Sequence, residues 1–326
     1  MSKVVTVTLN PAIDLTVELD RLVPGEVHRA RAQHVEAGGK GIGVAAVLAE
    51  LGVPVAATGW LGYDNAAPFE LAFTRRGIAD HMLRLPGSTR TNVKLSVAER
   101  GDSTDINLPG LALEPAARDE ALCNLARTLD RVLEAGDWCE LAGSLPPGVD
   151  ASAWLHIARR VVACGAELAV DTGGAVLGEL LRALGRTAGA SVTPMPALIK
   201  PNRAELEELA GRPLASLADV AAAARTLHTQ GVARVVVSLG GEGAVFVDAG
   251  GCWHAMPPRV PVATTVGAGD AMVAGTLAAL IEGRPWPDAA VFGMACAAAR
   301  IQRIAPDLPP RAEVERLAAQ VRLQPL

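Results

Sequence analysis

A glycine-framed acid stands out among the residues able to do chemistry. From Val260 a β-branched stretch runs to Gly267-Ala268-Gly269, and Asp270 opens an Ala-rich run reaching Ala279. Backbone N–H groups at a helix start lack intrahelical acceptors and attract an anion. Two glycines let a phosphate approach the backbone without a Cβ in the way. A carboxylate beside that anion would weaken simple binding. It fits instead as the base that takes a proton from a hydroxyl attacking phosphorus. The plainer alternative is an acid that offsets the helix dipole.

Other segments carry polar groups at suggestive spacing. Asp14 follows Asn10-Pro11 just after the first apolar run, where open parallel sheets bind ligands; it suits sugar hydroxyls or a local turn. Gly38-Gly39-Lys40-Gly41 precedes a helical run and suggests backbone close to a polar ligand. It is not a Walker A loop, and the loose Gly41-x-Gly43-x-x-Ala46 fingerprint lacks both its strand and its distal acid. Arg90, Asn92 and Lys94 alternate along a strand, share one face and could clasp a phosphate, with no acid alternating among them. Asn202 and Glu205, after Lys200-Pro201, share the first turn of a helix. They could hold hydrated Mg²⁺ or simply cap that turn. Ser238-Leu239-Gly240-Gly241-Glu242-Gly243 is either a glycine hairpin or a loop against nucleotide phosphates. Only four lysines occur, and three of them (Lys40, Lys94, Lys200) fall in these segments.

The elements that must position these residues alternate strand and helix. Strands are expected at Val4–Leu9, Val55–Leu61, Trp138–Leu141, Glu167–Asp171, Leu198–Lys200 and Arg234–Leu239. Helices are expected at Ile42–Leu51, Ala66–Arg76, Ala116–Ala135, Ala151–Ala163, Leu217–Gln230 and Trp286–Ala305. That rhythm is the mark of a parallel sheet covered by helices. Leu15–Leu19, Val27–Val35, Asn92–Glu99 and Thr104–Asn107 break it with period-two patterning, the last two joined by a turn at Arg100-Gly101-Asp102-Ser103. They predict a small separate sheet, placed to act as a lid and to offer a dimerisation face.

Composition narrows the function classes. The 326 residues are 50% hydrophobic but only 3% aromatic, so the core is built from small aliphatic side chains. A net charge of -5 gives no nucleic-acid footprint. No apolar run is long enough for a bilayer span, and no signal peptide is evident at the start. Five scattered cysteines without a C-x-x-C pair fit a reducing compartment, so a cytoplasmic enzyme is expected.

Taken in order, Thr8–Asp14, Gly38–Gly41, Thr89–Lys94, Gly143-Ser144-Leu145-Pro146, Lys200–Glu205 and Thr265–Asp270 resemble the motifs of the PfkB (ribokinase-like) carbohydrate kinases across nearly the whole chain. The resemblance implies one kinase domain over residues 1–326, a three-layer αβα sandwich with a mainly parallel central sheet. It also implies a β-sheet lid within about 11–37 and 88–108. It implies ATP and Mg²⁺, and phosphorylation of fructose 1-phosphate to the 1,6-bisphosphate. Tagatose 6-phosphate phosphorylation and a catalytically weak sugar-phosphate sensor are the alternatives. Asp270 would be the base, with Gly267, Ala268 and Gly269 as the anion hole. Lys200, Asn202, Ser238, Gly240 and Gly243 would line the ATP site, and Glu205 would meet the metal through water. Asp14, Gly38, Gly39 and Asn92 would hold the sugar. Lys40, Arg90 and Lys94 would hold its phosphate, with Asn107 contributing from the lid. A homodimer through the lid is implied, with neither nucleic acid nor membrane as partner. One departure concerns the sugar: the family usually has Asn where this chain has Gly43, which removes a donor and an acceptor.

Overall fold

Continuous apolar runs pair here as strands buried on both faces, as a helix-covered parallel sheet requires. The computed structural model describes residues 2–99, 102–185, 194–303 and 307–326. At the centre, β1 (Val4–Thr8) pairs in parallel with β4 (Val55–Gly62) on one side and β8 (Trp138–Ala142) on the other. Outside β4 lies β5 (Ala79–Leu85). Outside β8 follow β9 (Glu167–Asp171), β10 (Leu198–Ile199) and β11 (Val235–Ser238), all parallel. The far edge then reverses direction in β12 (Ala244–Asp248), β13 (Gly251–Met256) and β14 (Arg322–Pro325).

Helices cover both faces. On one side lie α1 (Lys40–Glu50), α2 (Ala67–Arg76), α8 (Ala268–Ile281), α9 (Trp286–Arg300) and α10 (Arg311–Ala318). On the other lie α3 (Pro115–Val132), α4 (Ala151–Ala163), α5 (Gly174–Gly185), α6 (Arg203–Ala210) and α7 (Leu217–Thr229). A separate sheet in the order β3-β2-β6-β7 comprises β2 (Ala12–Leu19), β3 (Ala32–Gly38), β6 (Arg90–Val97) and β7 (Asp102–Ile106).

The α/β class and the separate sheet agree with the sequence reading, and two boundaries differ by five residues each. The strand expected from Val27 begins at Ala32, since 27–31 leave the ladder. The last helix expected to reach Ala305 ends at Arg300, and Ala305 lies outside the described residues, as do Arg100 and Gly101 of the expected turn. β5 and β12 to β14 were not foreseen. The edge strands among them, β5 and β14, carry exposed polar residues that interrupt an apolar run.

Two features matter for the site. β1 leads on to β4 while its other neighbour, β8, leads on to β9, so the connections diverge between β1 and β8, where a crevice is expected at the strands' carboxyl ends. Helix α8 is buried almost all round from Ala271 to Ala279, which explains why it has no polar face. It packs against α9 across missing side chains: a Cβ on Gly275 would come within 2.6 Å of Cys296 Sγ, and one on Gly293 would overlap Thr276 Oγ1.

Candidate active site

The turn into α8 is set by Gly267, its N-cap, whose φ of 78° lies in the left-handed region that favours glycine. Ala271 N closes the first helical bond to Gly267 O at 2.9 Å. The N–H groups of Gly269 and Asp270 fall within that first turn, where the helix supplies no acceptor. Asp270 and Gly267 line a cavity of about 640 Å³ that also takes in Asp14, Gly38, Gly39 and Gly43. Asp270 stays half-buried at the cavity wall while protein encloses its carboxylate elsewhere. Burial, reinforced by the Asp171 charge, pushes its pKa up to about 7 against the pull of Lys200, Lys40 and Arg300. A base tuned near neutrality is suited to accept a hydroxyl proton.

Asp14 comes from the start of β2, directly opposite Asn92 in the parallel register with β6. Asn92 Nδ2 donates to Asp14 Oδ1 at 3.1 Å. Burial raises the Asp14 pKa despite that bond and the nearby Arg90 and Lys94 charges. Gly38 must lack a side chain because a Cβ there would overlap the Asp14 carboxylate. Gly43 likewise leaves room for Asp270, whose Oδ2 lies 2.5 Å from where a Cβ would stand.

A second group gathers at the ends of β9 and β10. Asp171 is only 1% exposed and accepts from Lys40 Nζ at 2.8 Å, with Lys200 Nζ at 3.2 Å. Burial alone would raise its pKa, but Lys200 and Lys40 outweigh it and hold it below the usual carboxylate range. Burial likewise acts to lower Lys40, and Asp171 and Glu205 more than compensate, so its pKa is raised. Lys200 Nζ lies 3.3 Å from where a Cβ on Gly269 would stand, so this ammonium adjoins the α8 turn.

The remaining expected residues fall as follows. Asn202 and Glu205 form a capping box: Asn202 Oδ1 accepts from Glu205 N at 2.9 Å, and Glu205 Oε2 accepts from Asn202 N at 2.8 Å. The capping reading of that pair therefore holds. Glu205 Oε1 remains, 3.9 Å from Lys40 Nζ. Ser238 bridges Asn202 in a parallel pair, and Gly240 to Glu242 form the tight turn of the β11–β12 hairpin, closed by Gly243 at φ 97°. Asn107 is exposed just past β7.

Lys40, grouped by resemblance with Arg90 and Lys94, pairs with Asp171 beside Lys200. One expectation is corrected. The face of Arg90, Asn92 and Lys94 is not free of acids. Neighbouring strands bring Asp14 opposite Asn92 and Asp105 opposite Lys94, the latter pair at 3.7 Å. Arg90 is tied to backbone, donating to Asn10 O at 3.1 Å, Leu108 O at 3.2 Å and Pro11 O at 3.3 Å.

Sequence reasoning missed Asp171, Glu140 and Arg300. Asp171 is the last residue of β9, at a strand's carboxyl end, so the rule applied to Asp14 after the first apolar run would have found it. Glu140, in mid-strand on β8, is fully buried, and among the described residues neither of its oxygens has a hydrogen-bond partner. Burial, with Asp171 and Asp270 nearby, raises its pKa well above the usual range.

Comparison with known proteins shows the family and the fold. A profile described as pfkB family carbohydrate kinase matches residues 7–311. A 1-phosphofructokinase of Xanthomonas campestris is 48% identical over 278 residues, covering 85% of this chain and 84% of its own. A 1-phosphofructokinase of Rhodobacter capsulatus is 42% identical, covering 98% and 96%. Among solved structures, phosphofructokinase-2 from Escherichia coli in complex with substrates and products superposes with a TM-score of 0.86. It is 28% identical and covers 97% of this chain and 98% of its own.

Proposed function

The chain belongs to the pfkB family of carbohydrate kinases, and we propose that it phosphorylates fructose 1-phosphate to fructose 1,6-bisphosphate with ATP. The observation that carries this reading is Asp270. It sits on a glycine-built helix start, in one cavity with Asp14, and its pKa is tuned to about 7.

Asp14 and Asn92 bind the sugar hydroxyls, oriented by their own hydrogen bond. The free primary hydroxyl faces Asp270, which takes its proton as the oxygen attacks the γ-phosphorus in line. Charge on the transferring group meets the N–H groups of the α8 turn and the Lys200 ammonium beside Gly269. Lys40, ion-paired across Asp171, lies on this phosphoryl side. Arg90 and Lys94 serve the phosphate already on the sugar. Ser238, Gly240 and Gly243, at the β11–β12 turn, adjoin the nucleotide.

Glu205 offers one oxygen beyond its capping bond, which fits Mg²⁺ held through water and completed by nucleotide phosphates. Such an ion would neutralise phosphate charge. The lid sheet and the segment after it expose Val35, Ile106 and Leu108, which supports pairing of two copies through the lid. Among the described residues no helix is long and apolar enough to cross a membrane. Five free cysteines are in keeping with a cytoplasmic setting.

The test is ADP release with fructose 1-phosphate run beside tagatose 6-phosphate, fructose 6-phosphate and ribose. Preference for fructose 1-phosphate by kcat/KM is expected. Preference for tagatose 6-phosphate would move the substrate, and no release with any of the four would make the protein a sensor.

A further inference from the structure

Two buried cations flank the first turn of α8, and the chemistry above uses one. Lys200 adjoins Gly269, as described. On the other side Arg300, the last residue of α9, brings Nε to 3.0 Å from where a Cβ on Gly267 would stand. Arg300 is 5% exposed and lines the same cavity as Asp14, Gly43 and Asp270. Its Nη1 donates to Arg303 O at 2.7 Å, which holds the guanidinium in place.

A buried guanidinium is costly unless its surroundings use the charge. Attraction to the carbonyl end of α9 explains a cation at this position. It does not explain why the side chain lies against the amide end of the neighbouring helix. The acids that bear on it are Glu36 from β3, Asp270 from α8, Asp307 beyond α9, and Glu50 from α1.

We propose that Arg300 is a positioning residue for phosphoryl transfer: it braces the Gly267 turn and supplies fixed positive charge behind the anion hole, opposite Lys200. Charge placed there costs no reorganisation when the transferring group gains negative charge. The cation also favours the ionised form of Asp270. This inference rests on the sugar-phosphate kinase reading above.

The experiment compares wild type, Arg300→Met and Arg300→Lys with fructose 1-phosphate and ATP between pH 5.5 and 9, with and without millimolar guanidinium ion. For Arg300→Met, kcat should fall about 10–100-fold while the sugar-phosphate KM stays within about threefold. The acid limb should move to higher pH, since a cation favouring the carboxylate is gone. Guanidinium ion should restore part of the rate. Arg300→Lys should keep the fold and the charge, and lose less than Arg300→Met. A folded Arg300→Met with unchanged kcat and acid limb would overturn the proposal. So would loss of thermal stability alone, without pH shift or rescue. If Arg300→Met does not fold, Arg300→Lys decides: a lower kcat at unchanged KM supports the role, and wild-type kinetics refute it. An inactive wild type would overturn the kinase reading itself, whereas an active wild type beside an unaffected variant overturns only the role of Arg300.

Discussion

Replacing Asp171 by Asn separates the electrostatics of the site from its shape. The amide is nearly isosteric, but it removes a buried charge and sets an NH₂ group against one of two ammonium groups at 2.8 and 3.2 Å. Removing one partner of a buried pair costs about 3–5 kcal/mol. Lys40 is partly exposed and keeps Glu205 at 3.9 Å, which lowers the expectation to about 2–4 kcal/mol. Asp171 has a folded pKa below its ordinary 3.8, so its stabilisation is present above that value and lost as pH falls through the folded pKa. The deficit of Asp171→Asn in urea denaturation should therefore persist at pH 7 and shrink below about pH 4. Activity carries a second signature. After burial, the Asp171 charge is the main influence holding the proton on Asp270 near pH 7. Without it Lys200 and Lys40 dominate, and the acid limb of kcat should move below 7. A folded variant whose acid limb stays put, or moves up, would refute the coupling.

Asp270→Asn should lower kcat by about 10³-fold or more, and isothermal titration should find sugar-phosphate and ATP affinities within about threefold of wild type; near-normal turnover would remove Asp270 as the base. Glu140 has a raised folded pKa, so its contribution is intact below about 4.5, its unfolded value, and is lost as pH rises towards the folded one. Wild type should thus lose about 1.4 kcal/mol per pH unit in that window relative to Glu140→Gln; equal stability near pH 4 and a widening gap above pH 5, read by urea titration, would bear this out, and a flat difference would refute it. Gly38→Ala drives a methyl group into the Asp14 carboxylate and should weaken sugar-phosphate binding by about 1–2 kcal/mol; an unchanged KM would show that Asp14 does not hold the sugar.

What the chain disclosed on its own was local. Gly267 to Asp270 reads as an anion turn because its geometry depends on consecutive residues, and the parallel sheet reads from apolar runs at its centre. Partnerships between distant segments were hidden. Lys40 and Asp171 stand 131 residues apart, so spacing gave no sign of the pair. The strand face of Arg90, Asn92 and Lys94 looked free of acids because Asp14 and Asp105 reach it only through strand register. Asn202 and Glu205 were ambiguous because one spacing serves both a cap and a metal, and the hydrogen bonds favour the cap. Arg300 read as one more arginine inside a helix expected to run to Ala305, and only the earlier end of α9 sets it apart.

The seam between α8 and α9 sets a limit on redesign. Exchanging a helical glycine for alanine ordinarily stabilises a protein, yet a methyl group at Gly275 would wedge against Cys296 and Gly293. Eight residues separate Gly275 from Gly267, about 12 Å along the axis at 1.5 Å each. Such a wedge would push α8 and α9 apart at this contact, on the helix that begins at Gly267. On the proposed mechanism, the alignment of Asp270 thus depends on atoms the chain leaves out at Gly275 and Gly293. Attempts to toughen this enzyme should spare that seam and work on the opposite helical layer.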